Sequence, residues 1–316
     1  MNQFLNSTFV LLLVLSTGCS ANDRQKQEKF LPHISGSNTI FTNGFEDSLL
    51  GADPNILFSG AKISFISNSY MGAYGGLNNY LELVVNASDD PVTLNTVPAR
   101  IDNGGWYWGM GLGQMTSALD RIENEGDYDT CLFLDGPMQT MRQFADRLFA
   151  ACGQVVLFAD GGGHNPVTLG NNYLNNTATT LANARLMQNE YPDLLVVPMV
   201  YVFYGLTINP VVVVPRLDYL YGDNNIHQNG LGTLVNTFGL YSMLTSKSPL
   251  GLSFDFDQPA TTNHSFIDGT EILIGHSFPS DTPEDRILFD ESTQHLFQQT
   301  ILDLLVEWHQ CNTEFD

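Results

Sequence analysis

A chain of 316 residues, 43% of them hydrophobic, is long enough to close one α/β domain around a full core. Its formal charge is −22, with 34 acidic against 12 basic residues, and no basic stripe is interleaved with aromatics. That balance argues against nucleic acid and anionic membranes as partners by plain repulsion, and it suits salty extracellular water, where screening relieves the self-repulsion.

The first 21 residues read as an export signal. Phe9 to Leu15 is an unbroken apolar run ending in Ser16-Thr17-Gly18-Cys19-Ser20-Ala21, too short to span a bilayer as a mature helix. No Lys or Arg precedes it. Gly18-Cys19 has the form of a bacterial lipoprotein cleavage site, with Ser16 where an aliphatic residue is usual; cleavage after Ala21 would instead release a secreted or periplasmic protein. A lipid on Cys19 is then the one route to a membrane. Residues 22–55 are polar, with a small apolar island at Ile40-Phe41, and read as a tether. Residues 56–316 read as one domain.

In that domain Lys62 to Ser67 contains a short apolar strand, Ile63 to Ile66. Small polar residues and Gly72, Gly75 and Gly76 follow, before a helix with Leu77, Tyr80, Leu81, Val84 and Val85 on one face. Val92 to Ile101 is the second strand. A glycine- and aromatic-rich loop, Asn103 to Gly111, leads to a helix over Met115–Ile122, with Glu123 to Asp129 as its acidic exit. Cys131 to Leu134 is the third strand, Met138 to Ala151 an amphipathic helix, and Val155 to Phe158 the fourth strand. Thr177 to Asn189 is helical, and the near-continuous apolar run Leu194 to Phe203 reads as a fifth strand covered on both faces. A helix opening at Leu231 puts Leu231, Leu234, Val235, Phe238 and Tyr241 on one face. An irregular acidic segment runs from Pro249 to Phe289, with Asp255-Phe256-Asp257 as a surface strand. Glu291 to Gln310 is a last helix with Phe297, Ile301, Leu304, Leu305 and Trp308 as its core stripe. Strands alternating with helices predict a doubly wound, mostly parallel five-stranded sheet with helices on both faces, a three-layer sandwich.

Four cysteines include Cys19 of the signal, leaving an odd set of three for an oxidising compartment. Cys131 and Cys152 stand at the starts of consecutive strands. If those strands are parallel neighbours the two are placed for a disulfide; otherwise they are two buried thiols. No Cys-x-x-Cys or Cys/His spacing offers a zinc site, and His164 beside Asp160 supplies too few ligands for any metal.

Two polar stretches carry chemistry. Ser69 follows the first strand, where open α/β folds place their sites, although the commoner role for such a serine is to cap the next helix. His227 lies in the loop Tyr221 to Gly230, just ahead of a helix, with acidic and amide neighbours behind it. There an imidazole can take a proton from a hydroxyl while an acceptor holds its other nitrogen.

Taken together, Ser67-Asn68-Ser69-Tyr70 after the first strand and Asp223-Asn224-Asn225-Ile226-His227 before the later core helix resemble the SGNH (GDSL-like) hydrolase superfamily. The run Leu220 to Gly232, followed by Leu244-Thr245-Ser246-Lys247-Ser248-Pro249, is similar to one bacterial branch of it, and the resemblance covers roughly residues 60–250 plus the last helix. It implies an SGNH/flavodoxin-like fold and a serine esterase working through an acyl-enzyme, without metal or cofactor, on small-molecule or glycan esters such as acetyl groups on carbohydrate. Ser69 would be nucleophile and His227 its base. The backbone N–H groups of Ser69 and Gly105 (or Gly104) would stabilise the oxyanion.

Three residues depart from the pattern. Asn224 stands three before His227 where the family has Asp, so the orienting group is Asp223, Asn224, or absent, leaving a Ser–His dyad. The third block, Leu134-Asp135-Gly136-Pro137-Met138-Gln139, has no Asn, and Gln139 is the substitute oxyanion donor. Ser67 replaces the glycine of the first block. An alternative is a catalytically weakened relative that binds glycan or another surface ligand, with Trp106, Tyr107 and Trp108 stacking on a sugar ring or simply packed on the core.

Overall fold

The computed structural model describes residues 57–67, 77–89, 91–100, 112–160, 173–208, 220, 228, 230–252, 263–265, 271–273 and 291–313. Five strands, β1 (Lys62–Ser67), β2 (Asn95–Arg100), β3 (Tyr128–Leu134), β4 (Cys152–Phe158) and β5 (Leu195–Val197), pair in the order β2-β1-β3-β4-β5, every pair parallel. β1 sits second, flanked by β2 and β3, with Ile63 opposite Thr96 on one side and Thr130 on the other. Ile63, Ser64, Phe65 and Ile66 are all buried, as are the last four residues of β4, because helices cover both faces.

Helices α1 (Leu77–Asn86), α2 (Leu112–Glu125), α3 (Met138–Ala151) and α4 (Tyr173–Glu190) fill the crossovers. They are followed by α5 (Met199–Ile208), α6 (Gly230–Thr245) and α7 (Glu291–Thr313). α1 packs on α6 and α6 on α7, while α2 packs on α3 and α3 on α4, giving one helical layer on each face. In α3 the buried set is Met141, Phe144, Ala145 and Leu148, the spacing of a single helix face, and the expected bounds of this helix are the observed ones. Arg147 reaches Asp120 and Glu123 across the α2–α3 seam, and Arg142 reaches Glu190 across α3–α4, all at 2.6 Å. These exposed pairs align helices more than they stabilise them.

The disulfide forms. Cys131 and Cys152 are joined, with their Cα atoms 6.0 Å apart on neighbouring parallel strands.

Four element readings need correcting. The run Leu194 to Phe203 is only three residues of strand; after Pro198 the chain turns into α5, whose Val200 N–H donates to the Ala159 carbonyl at 2.8 Å. An all-apolar run has no period to separate buried strand from buried helix, and a proline at a helix start was the available signal. The acidic exit is divided. Glu123 and Glu125 finish α2, Gly126 (φ 61°) and Asp127 (φ 56°) make the turn, and Tyr128 and Asp129 already belong to β3. Lys62 explains that early start, since its N–H donates to the Asp129 carboxylate at 2.7 Å and its ammonium lies 3.9 Å from the Tyr128 ring centre. The acidic segment after Pro249 contains an antiparallel pair, β6 (Asn263–Ser265) and β7 (Glu271–Leu273); Asp255 to Asp257 lie outside the described residues. Finally, α6 is buried on every side and not on one face only. Thr237 satisfies its hydroxyl on the Thr233 carbonyl, and Gly239 admits Met199 where a Cβ would overlap its sulfur.

At the junction of α4, α5 and α7 several ionisable groups are half-buried. The Arg185 guanidinium lies 3.8 Å from the Trp308 ring centre, and burial pushes the carboxyls of Glu307 and Asp303 above the usual range. Burial, then the charge of Glu307, pushes the Tyr201 hydroxyl up as well. A carboxyl whose folded pKa is raised contributes stability below its unfolded pKa, and that contribution is lost as pH rises through the folded value. Glu307→Gln keeps an acceptor for Tyr201 while removing the buried charge. It is expected to raise Tm at pH 7–8, with the gain vanishing below about pH 4, where the wild-type carboxyl is protonated in both states. Thermal melts of the two proteins across that range check this.

Candidate functional site

In a sheet ordered β2-β1-β3-β4-β5 the crossovers leave β1 and β3 in opposite directions, and a crevice opens at the carboxyl ends of those two strands. Two segments of the chain lead away from it. Ser69 is the second residue past the end of β1, and Asp135 to Gln139 immediately follow β3. Ser69, Gly104, Gly105, Trp106 to Trp108, His164, Asp223, Asn224 and His227 lie outside the described residues.

The β3 end is described in full. Asp135 is buried; its N–H donates to the Phe158 carbonyl at 3.1 Å, extending the ladder one residue past the strand. One of its carboxylate oxygens accepts the N–H of Asp160 at 2.9 Å. Asp135 thereby holds the end of the next strand. Gln139 stands in the first turn of α3 with its side chain exposed.

Asp160 follows β4 by two residues and has no exposed surface. One of its oxygens accepts from two amides, the Nε2 of Gln228 and the Nδ2 of Asn236, the latter at 3.2 Å. Gln228 is the residue after His227, and it is buried. Asn236 is on α6, the helix that starts two residues after Gln228. In the first turn of that helix a Cβ on Gly232 would overlap the Leu220 carbonyl oxygen, so glycine is what lets α6 begin against the segment before it. The segment 220–228 is thus held at both ends, by Leu220 under α6 and by Gln228 at the β4 edge.

Neighbouring strands are spaced by about 4.8 Å, which puts the ends of β1 and β4 roughly 10 Å apart, with β3 between them. Two side chains reaching inward from those ends can meet over β3.

Sequence reasoning missed Asp160 and Gln228 as a pair. Asp160 drew notice only beside His164 and Gln228 only as part of a polar loop. An Asp closing the apolar run Val155 to Ala159 was the available signal, because a carboxyl group there is buried and must find hydrogen-bond partners. Among the described residues no cluster of three or more His, Cys, Asp or Glu side chains is placed to hold a metal, and no helix is long and apolar enough to cross a membrane.

Five parallel strands in this order between two helical layers define a three-layer α/β protein of the SGNH/flavodoxin-like kind, with its crevice at β1 and β3. The fold is similar to that of a DUF4886 family protein from Bacteroides uniformis, at a TM-score of 0.50 and 9% identity, over 78% of this chain and 94% of that one. A mutant acetyl-xylooligosaccharide esterase from Geobacillus aligns at a TM-score of 0.39 and 10% identity, over 64% of this chain and 98% of that one. At these identities the first likeness concerns the fold alone, and the second adds nothing to it. No protein-family model matches the chain, and no curated protein matches it in sequence.

Proposed function

We propose that the protein is an exported serine esterase of the SGNH type, acting on small oxygen esters such as acetyl groups on carbohydrate. The observation that carries the reading is the buried bond from Gln228 to Asp160. It ties the chain position next to His227 to the carboxyl edge of the sheet, one strand beyond the β1–β3 crevice at which Ser69 follows β1.

In this reading the Ser69 hydroxyl attacks the ester carbonyl carbon while His227 takes its proton, with Asp223 or Asn224 orienting the imidazole. The negative oxygen of the tetrahedral intermediate is met by the N–H groups of Ser69 and Gly105 and by the Gln139 amide. Collapse breaks the carbon–oxygen bond to the alcohol, which leaves with the proton from His227. Water, deprotonated by His227, then attacks the acyl-enzyme, and the acid departs as Ser69 recovers its proton. Since Asp135 is engaged with Asp160, Gln139 is the donor that the β3 end has left to offer.

Export is supported by the Cys131–Cys152 bridge, a bond that persists in oxidising compartments. The acidic surface favours uncharged or cationic partners over nucleic acid, and a lipid on Cys19 is the only membrane attachment in this reading.

A fluorophosphonate probe tests the proposal directly. The purified protein is expected to be labelled at Ser69, located by peptide mass, and to release acetate from a chromogenic acetyl ester. Absence of labelling from pH 6 to 9 would favour a glycan-binding relative without turnover.

A further inference from the structure

We propose that Asp160, acting through Gln228, is a positioning residue for His227, which rests on the reading of His227 as the catalytic base. The side chain of Asp160 is wholly buried, and one of its oxygens gathers two amides, from Gln228 and Asn236, that are 68 and 76 residues away in sequence. Both amides donate to the same side-chain oxygen, so one atom sets the position of two side chains. The Asp160 N–H is in turn fixed by Asp135, so the acceptor is anchored to two strand ends before it holds anything.

A network this demanding is not needed for packing. Around it α6 is buried on every side, and an apolar residue at 160 facing an apolar residue at 228 would close the same space without desolvating a carboxylate. What the polar arrangement adds is direction, because a bond to one oxygen sets the angle and depth of the Gln228 side chain where an apolar contact would not. Gln228 is joined to His227 by one planar peptide, so fixing its side chain restrains the backbone that carries the imidazole. Asn236 holds the following helix to the same oxygen. Gln228 and α6 then keep one register relative to the sheet edge. Displacement of a reacting group by about 1 Å costs on the order of 100-fold in rate, which is the scale on which such a clamp matters.

The test uses the full-length protein with Gln228→Met, which keeps the length of the side chain and removes its donor, and with Asp160→Asn, which keeps one acceptor oxygen and replaces the other by an amide. Two readouts are taken: kcat and KM on an acetyl ester, and the ring resonance of His227 in protein labelled with 13C-histidine, assigned with His227→Gln. Gln228→Met is expected to lower kcat by about 10- to 100-fold with KM within twofold, and to move the His227 resonance and its titration midpoint. Asp160→Asn should do the same to a smaller degree, and it serves alone if Gln228→Met does not fold. Unchanged kcat and an unmoved His227 resonance in a folded variant would overturn the proposal, leaving Asp160 a purely structural group. Should the wild type hydrolyse no ester while the resonance still moves, the clamp stands and the esterase reading falls.

Discussion

Ser69→Ala is expected to lower ester turnover by a factor on the order of 10⁴ to 10⁶ while leaving the fold intact. The effect is this large because no other hydroxyl in the proposed mechanism can form the acyl-enzyme; what remains is water attacking a substrate held by the oxyanion donors. His227→Gln should fall in the same range, and the double variant should be barely worse than either single one, since the two groups act as a unit. The orienting position divides the outcomes. If Asp223 holds the imidazole, Asp223→Ala costs more than Asn224→Ala, because a carboxylate stabilises the imidazolium by charge and an amide does not. In serine proteases, replacing the triad carboxylate by its amide lowers turnover by about 10⁴. Steady-state kinetics on one acetyl ester, with circular dichroism to verify folding, decides all five variants. Full turnover by Ser69→Ala would end the acyl-enzyme mechanism at this serine.

The second large effect concerns stability. Reducing Cys131–Cys152 opens a loop with a sequence separation of 21 that encloses the whole of α3. Closing a loop of that length removes about 3 kcal/mol of chain entropy from the unfolded state, although how much of the effect is entropic depends on the model used. For a domain of this size that is a fall in Tm of roughly 6–12 °C. Urea titrations of the oxidised and reduced protein should differ by that free energy, and peptide mapping after alkylation should find residues 131 and 152 modified only in the reduced sample. An unchanged midpoint after verified reduction would show that the strands are held by packing alone. Since Cys131 is fully buried in β3, the Cys131→Ala/Cys152→Ala variant should lose somewhat more than reduction does, through the volume it removes.

Much of this architecture was legible because it is locally periodic. The α3 stripe of Met141, Phe144, Ala145 and Leu148 predicts a helix with no knowledge of what it packs against, and β4 is bounded by polar residues on one side and Asp160 on the other. Legibility failed where the period vanished. From Leu194 to Phe203 every reading of the hydrophobic pattern is satisfied, and the choice between strand and helix fell to Pro198 and to the Ala159 carbonyl waiting for the Val200 N–H. The pattern of α6 puts Leu234, Val235, Phe238 and Tyr241 on one face, yet Thr233, Asn236, Thr237 and Ser242 are buried as well. Thr237 bonds back to its own helix and Asn236 to Asp160, so polarity there reflects bonding partners and not solvent.

By itself the sequence determined the alternation of strand and helix, the strongly acidic surface and the pair of motifs around Ser69 and His227, since these depend on residues close together along the chain. Only the tertiary structure decided that Cys131 meets Cys152, that Asp135 accepts the Asp160 N–H, and that Asp160 takes Gln228 and Asn236 as partners. A buried carboxylate must be satisfied by some donor, but which donor reaches it is set by how strands and helices stack, and short-range pattern carries no record of that.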